Sequence, residues 1–413
     1  MKFENNPTYF EHEATLNHEI QFKNPLSKYA LNPKNILLIG ATGLVGGFLL
    51  EELLQKTDAV IYCLVRADDI QAAKQRLVQH LESYNLWQEK FESRVVPIVG
   101  DLIKPFFGLT DSEFCHLAST IDVIYHSAGR INLLYPYERL KPINVTGVEN
   151  SLRLASLVQT KPFYFVSSIA VFYSDAHFAT EILYENTIPL FHSSLKADYG
   201  KSKWVADRLV ANAQTRGLPA CIYRPVRIMG CSKTGALNDN SELLPRLLKG
   251  CIKMGIYPAW DIAITLVPVN YVSSTMVHLA KQEDNWGRAF HLFNPTPIEW
   301  RNLMIILNNI GYVMNEVSSE KWSHELRRYA TSDNPEDTDS KRFFAMLMVV
   351  FTGSHYLFHS RPPFDGSHIE LGLANSDIFC PNIDEKLIKK YVSYWQKTGF
   401  LPPLKENQNV DFK

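Results

Sequence analysis

The sequence has no long apolar run. The longest, near Phe343–Phe351, falls well short of the roughly 20 residues that span a bilayer as a helix, so no membrane span is expected. The first twenty residues, MKFENNPTYFEHEATLNHEI, are polar and acidic and lack the apolar core of a secretory leader, so a cytoplasmic protein is expected. No charge of one sign dominates: 42 Lys and Arg stand against 43 Asp and Glu. That balance argues against a nucleic-acid partner held by bulk positive charge, but leaves room for a local basic pocket for one phosphate. The six cysteines, at 63, 115, 221, 231, 251 and 380, form no C-x-x-C pair and no Cys/His cluster at ligand spacing. Neither a disulfide framework nor a metal site is expected, and the thiols read as reduced and mostly buried. Without a leader, the sequon Asn144-Val145-Thr146 carries no weight. No internal repeat or low-complexity tract is visible. A chain of 413 residues suits about two or three domains, or one elaborated domain with a cap.

What the sequence does have is alternation. Asn35–Ile39 is a short continuous apolar run, as expected of a parallel strand buried on both faces. Glycines and a helical stretch, Leu44 to Lys56, follow it. Further strands are expected at 59–65, 94–99, 122–126, 162–166 and 220–223, with helices over 68–84, from Pro136 to about Leu157, and from Asp198. Strands alternating with helices imply right-handed βαβ units and a doubly wound, mostly parallel Rossmann sheet. Beyond residue 230 helical segments dominate: 241–255, 271–281, 298–310, 340–351 and 384–397. The expected organisation is a polar, irregular lead-in over 1–34, a dinucleotide-binding domain over 35–230 with 262–293 returning to its sheet, and a smaller, mainly helical substrate domain over 231–413.

Gly40-Ala41-Thr42-Gly43-Leu44-Val45-Gly46 lies between the first strand and the first helix. Gly40 allows the tight turn, Gly43 lets backbone approach a pyrophosphate at the helix N-terminus, and Gly46 lets helix and sheet pack closely. The alternative is glycines needed only for packing. NAD usually calls for an acid at the end of the second strand, NADP for a cation. Here Arg66 stands at that end and Arg76 ten residues on, a pair suited to a 2′-phosphate; Asp68 and Asp69 are read as helix caps, or else as ribose contacts. After the third strand, Asp101 beside Leu102 either accepts from an adenine amino group or caps a turn. Ser127-Ala128-Gly129, after the fourth strand, lets backbone run beside a cofactor. Arg224-Pro225-Val226, at the end of the sixth, puts backbone near a nicotinamide carboxamide.

Tyr199 and Lys203 form a Y-x-x-x-K, a common chance match that gains meaning from its position at the start of the helix after the fifth strand. Spacing of i, i+4 puts both side chains on one helix face. The fifth strand ends in Ser167-Ser168, at the carboxyl edge of the sheet where α/β sites form. Ser168 is read either as a strand-end cap or as a third member of the set. Together they suit one reaction: Lys203 lowers the Tyr199 pKa and holds a nicotinamide ribose, Tyr199 gives a proton to an oxygen that turns negative as hydride arrives, and Ser168 hydrogen-bonds that oxygen. His126 is read as structural, and Arg130 as a solvated or packing residue.

The segments ILLIGATGLVGGFLL, YCLVRADD, VPIVGDL, VIYHSAGRINLLYPYERLKPINVTGV, FVSSIAVF, YGKSKWVAD, IYRPVRIMG and LVPVNYVSS, with RPPFD, the CP-NID around Cys380 and the closing GFLPP, resemble in order the thioester reductase domains of nonribosomal peptide synthetases and carboxylic acid reductases, of the extended short-chain dehydrogenase/reductase type. The likeness runs from about Ala14 to Leu404. It implies NADPH, bound through Thr42, Gly43, Arg66, Arg76 and Asp101; a catalytic set carried here by Ser168, Tyr199 and Lys203; and Asn144 as the Asn of the NV segment, structural and near the site. The family often has Thr where Ser168 stands, and an uncharged or lysine residue near Arg130. The implied reaction is reduction of an acyl thioester to the aldehyde, and with a second hydride to the alcohol. With no adenylation or carrier segment recognised, the acyl donor, on a phosphopantetheine carrier protein or CoA, is expected in trans. The helical part after residue 230 is expected to form the acyl channel and carrier-docking face. Two rivals remain: an NAD-dependent nucleotide-sugar epimerase or dehydratase, which predicts an acid where Arg66 stands, and a non-catalytic dinucleotide sensor, which predicts loss of Tyr199 or Lys203.

Overall fold

The computed structural model describes residues 6–195, 197–237, 242–331, 338–353 and 363–404. Ser241, where a helix was expected to start, and Arg361-Pro362 of the RPPFD segment lie outside them. The sheet strands are β1 (Asn35–Ile39), β2 (Val60–Val65), β3 (Val95–Val99), β4 (Val123–His126), β5 (Phe163–Val166), β6 (Ala220–Pro225) and β7 (Ala289–Leu292); all are largely buried except the edge strand β3, which is mostly half-buried. They form one sheet in the order β7-β6-β5-β4-β1-β2-β3 with every pairing parallel. Chain direction across the sheet reverses between β1 and β4, the switch point outside which α/β ligands bind.

Helices cover the sheet as the hydrophobic periodicity requires. They are α1 (Pro7–Glu13), α2 (Leu44–Lys56), α3 (Ile70–Ser83), α4 (Asp111–Thr120), α5 (Tyr137–Lys141), α6 (Gly147–Ser156), α7 (Asp198–Thr215) and α8 (Val269–Leu279). α2 packs with α8, and α6 with α7. The expected single helix from Pro136 to Leu157 is interrupted. Pro142, with no N–H to give, falls between α5 and α6, and the chain widens there into a π-turn over Pro142–Thr146 that contains Asn144. The short helix α4 was not foreseen, although Thr110 and Glu113 make a reciprocal capping box at its start.

The lead-in, described from Asn6 onward, is more ordered than its polarity predicts. Asn6 caps α1 by accepting from Thr8 N, and Phe10, Leu16 and Ile20 are buried. The chain falls into two compact units: Met1–Ile228 with Val267–Phe293 and Arg361–Cys380, and Met229–Leu266 with Asn294–Ser360 and Pro381–Lys413. Within this division the described residues 363–380, which the sequence reading placed in the C-terminal part, fall in the first unit. The second unit is mainly helical. Its interior is built on Trp300, Leu307, Trp322 and Leu347, and Tyr391 donates to Gly230 O at 2.9 Å.

Candidate active site

The glycine turn is built by backbone crowding. Gly40 has φ +97°, and a Cβ there would lie 2.6 Å from Ala128 N; a Cβ on Gly46 would collide with Gly40 O. Gly43, the N-cap of α2, meets only Gly40 O at 3.4 Å, so the side facing the helix N-terminus is open. Thr42, Leu44 and Val45, next to Gly43 in the turn, are half-buried. Ser127 fixes the neighbouring strand end by donating from Oγ to Ile39 O at 3.0 Å.

At the end of β2 the two arginines meet. Both are exposed, and Arg76 Nη1 donates to Arg66 O at 2.7 Å, which brings the Arg76 guanidinium back from α3 to the strand end. Asp69 caps α3 by accepting from Ala72 N at 2.7 Å, the structural alternative of its two readings. Asp101 uses one carboxylate oxygen locally, accepting from Ile103 N at 3.3 Å. Leu102 fills the space that Gly147 leaves: a Cβ on Gly147 would lie 2.5 Å from Leu102 Cγ.

The second cluster sits at the carboxyl ends of β4 and β5. Ser168 lies two residues beyond β5 and caps the 3-10 turn Ile169–Phe172, its Oγ accepting from Ala170 N at 3.1 Å; this is the capping role among its two readings, and it leaves the hydroxyl proton to give elsewhere. Tyr199 and Lys203 occupy the first turns of α7; Tyr199 is half-buried and Lys203 buried. Lys203 Nζ donates to Val166 O at 2.8 Å and lies 4.9 Å from the centre of the Phe165 ring. Burial lowers its pKa to about 8, with the Asp207 carboxylate opposing the shift. A Cβ on Gly129 would come within 3.6 Å of Lys203 Nζ and 3.7 Å of Asn144 Oδ1, so Gly129, Lys203 and Asn144 share one small space. Asn144 is pinned: Oδ1 accepts from Arg130 N at 2.7 Å, and Nδ2 donates to Arg130 O at 3.1 Å and Ser202 Oγ at 2.9 Å. His126 lies beneath, fully buried and kept neutral, its pKa lowered to about 3 by burial and by Lys203. Pro225 and Val226 are buried, Val226 N donating to Leu292 O at 3.0 Å.

A family profile of NAD-binding type, described as male sterility protein, matches residues 38–276. Among solved structures, the terminal R domain of the myxalamid PKS-NRPS pathway superposes with TM-score 0.90 at 36% identity, covering 97% of this chain and 100% of that one. The chain belongs to this reductase family. A linear gramicidin synthase of Brevibacillus parabrevis is 38% identical over 379 residues, covering 90% of this chain and 7% of that protein. L-2-aminoadipate reductase of Saccharomyces cerevisiae is 28% identical over 412 residues, covering 94% and 29%. The reductase chain thus spans well under half the length of these curated relatives.

Some residues of this reductase's site escaped the sequence reading. His80 Nε2 hydrogen-bonds Gly43 O at 3.0 Å and so ties α3 to the glycine turn; its only signal was its place one helical turn after Arg76. Ser202 links Asn144 to the Tyr199 carbonyl. Asp207, one turn after Lys203, is fully buried, and its place on the same face of α7 was the available signal. Among the described residues no helix is long and apolar enough to cross a membrane.

Proposed function

We propose that the chain is an NADPH-dependent reductase of acyl thioesters, releasing the aldehyde and, after a second round, the alcohol. The observation that carries this reading is Lys203, one helical turn after Tyr199, bonded to Val166 O at the end of β5 just before Ser168 and sharing one small space with Gly129 and Asn144, in a chain with a dinucleotide-type glycine turn. The residues fit the cofactor: a cradle that a Cβ would fill at Gly40, the open N-terminus of α2, and two exposed guanidiniums at the end of β2, where NAD would call for an acid. Arg66 and Arg76 would hold the 2′-phosphate, Gly43 to Gly46 the pyrophosphate, Asp101 and Leu102 the adenine side, and Ala128, Gly129, Pro225 and Val226 the nicotinamide side.

When bound, NADPH supplies the hydride. The chain's own residues deal with the oxygen. Lys203, charged below about pH 8, gives one N–H to Val166 O and keeps two for the ribose. Its charge favours the tyrosinate and so makes Tyr199 a better proton donor. Tyr199 O–H protonates the carbonyl oxygen as it turns negative, and Ser168 O–H, whose own acceptor role is taken by Ala170 N, hydrogen-bonds the same oxygen. The resulting hemithioacetal collapses: the C–S bond breaks, the thiol leaves with a proton, and an aldehyde remains. The relatives named as peptide synthetases and R domains favour a carrier-bound thioester over an acyl-CoA. The test is stoichiometry. Free thiol should appear as NADPH is consumed, one for one with aldehyde where the first round is isolated and one thiol per two NADPH where the alcohol forms; NADPH loss without thiol release would contradict the reading.

A further inference from the structure

Arg224 entered the sequence reading only for its backbone, yet its side chain is the hub of a buried polar chain that the reaction above leaves unused. It is 3% exposed. Its Nε and Nη2 donate to the two oxygens of Asp207 at 3.0 and 2.9 Å, a bidentate pair. Its Nη1 donates to the carbonyls of Glu185 and Thr187, both at 3.3 Å, and the guanidinium lies 5.1 Å from the Phe172 ring centre. Asp207 accepts also from Ser167 Oγ at 2.6 Å. The Glu185 carboxylate is held in turn by His291 N at 2.8 Å and His368 N at 2.6 Å.

These contacts converge on one stretch of chain. Residues 173–197 run from the turn that follows Ser168 to the helix that carries Tyr199. Ser167 and Phe172 bracket Ser168, Asp207 lies two turns beyond Tyr199 on α7, and Glu185 and Thr187 sit midway. One guanidinium therefore bonds to the middle of the connection and, through Asp207 and Phe172, reaches both of its ends. A buried ion pair is a costly way to add stability, because both charges leave water. A planar fork with fixed donors is an effective way to fix geometry. We propose that Arg224, oriented by Asp207, is a positioning residue that sets the spacing of Ser168 and Tyr199 by pinning the segment between them. The proposal rests on the reading of those two hydroxyls as catalytic.

The test is Arg224→Lys in the whole chain, which keeps the charge and removes the fork. Amide hydrogen exchange without ligands is read first. Exchange over 181–188 should rise about tenfold or more, the loss of roughly one charge-assisted hydrogen bond, while β1 and α2 stay unchanged. With NADPH and a thioester the wild type reduces, kcat should fall about tenfold or more while the Kd for NADPH holds. Unchanged exchange over 181–188, a rise spread equally over β1 and α2, or local loosening with unchanged kcat would each overturn the proposal. If Arg224→Lys does not fold, Asp207→Asn, which keeps the anchor's shape and removes its charge, decides by the same local signature. A wild type that reduces no thioester would instead defeat the functional reading, and the exchange result would still stand on its own.

Discussion

Lys203 carries the pH behaviour of the site. Its folded pKa, lowered to about 8 by burial, lies below the ordinary lysine value. As pH rises through about 8 the folded chain sheds this proton before the unfolded chain does. The unfolded state then binds more protons, so this group's contribution to stability rises with pH. Activity goes the other way, because Tyr199 loses its cationic neighbour. The expected outcome is a kcat that falls above about pH 8 while thermal stability does not fall with it, checked by parallel rate and melting profiles. The arginines make a second prediction at this scale. Arg76→Ala should raise the Kd for NADPH about tenfold or more and leave that for NADH nearly unchanged, as removal of a charge-assisted phosphate contact requires. Equal losses for both cofactors, by titration, would place Arg76 elsewhere.

At the scale of elements, the glycine turn and its helix were legible because backbone crowding leaves a spacing signature: Gly40, Gly43 and Gly46 each answer a different steric demand. Gly46→Ala should lose cofactor binding and cost about 1–3 kcal/mol of stability, read by denaturant titration, because its Cβ is driven into Gly40 O. The core strands were legible too, since burial on both faces leaves continuous apolar runs. What was not legible depends on tertiary partners. The π-turn at Pro142 lies in a pattern that reads as plain helix. The Arg224–Asp207 pair joins residues whose nearness only the fold creates. Glu185, in an irregular loop, gave no signal at all. Burial pushes its pKa up to about 7. The protonated form is therefore favoured in the fold, and the stability this group contributes is present in acid and lost as pH rises through about 7. Glu185→Gln should flatten the pH dependence of stability between the ordinary carboxyl range and about pH 7, as measured by chemical denaturation across that window.

At the scale of the molecule, the lead-in before β1 clamps the helix that bears Tyr199 and Lys203. Arg216 donates to the carbonyls of Leu16, Asn17 and Ile20, and Asn212 to Ala14 O. Glu13 accepts from the Tyr137 hydroxyl at 2.9 Å, and Phe10 stacks on Phe191 at 4.6 Å. The polarity of the segment concealed this role, because only Phe10, Leu16, Ile20 and a few others are buried and they follow no period. Deleting residues 1–22 should cost at least about 4 kcal/mol, because the burial of Phe10, Leu16, Ile20 and Phe22 is lost and the apolar surface they cover meets water, read as a lowered melting temperature and reduced kcat together. The claim on which the rest depends is that a thioester carbonyl is reduced with Tyr199 as the proton donor. The most direct test follows NADPH oxidation at saturating cofactor with a panel of acyl-CoAs and acyl-loaded carrier proteins, wild type against Tyr199→Phe, with NADH in parallel. The account predicts NADPH-specific turnover on at least one thioester and a loss in Tyr199→Phe of about a hundredfold or more, with NADPH binding retained. Turnover that survives Tyr199→Phe, or NADPH bound and never oxidised on any thioester, would contradict it.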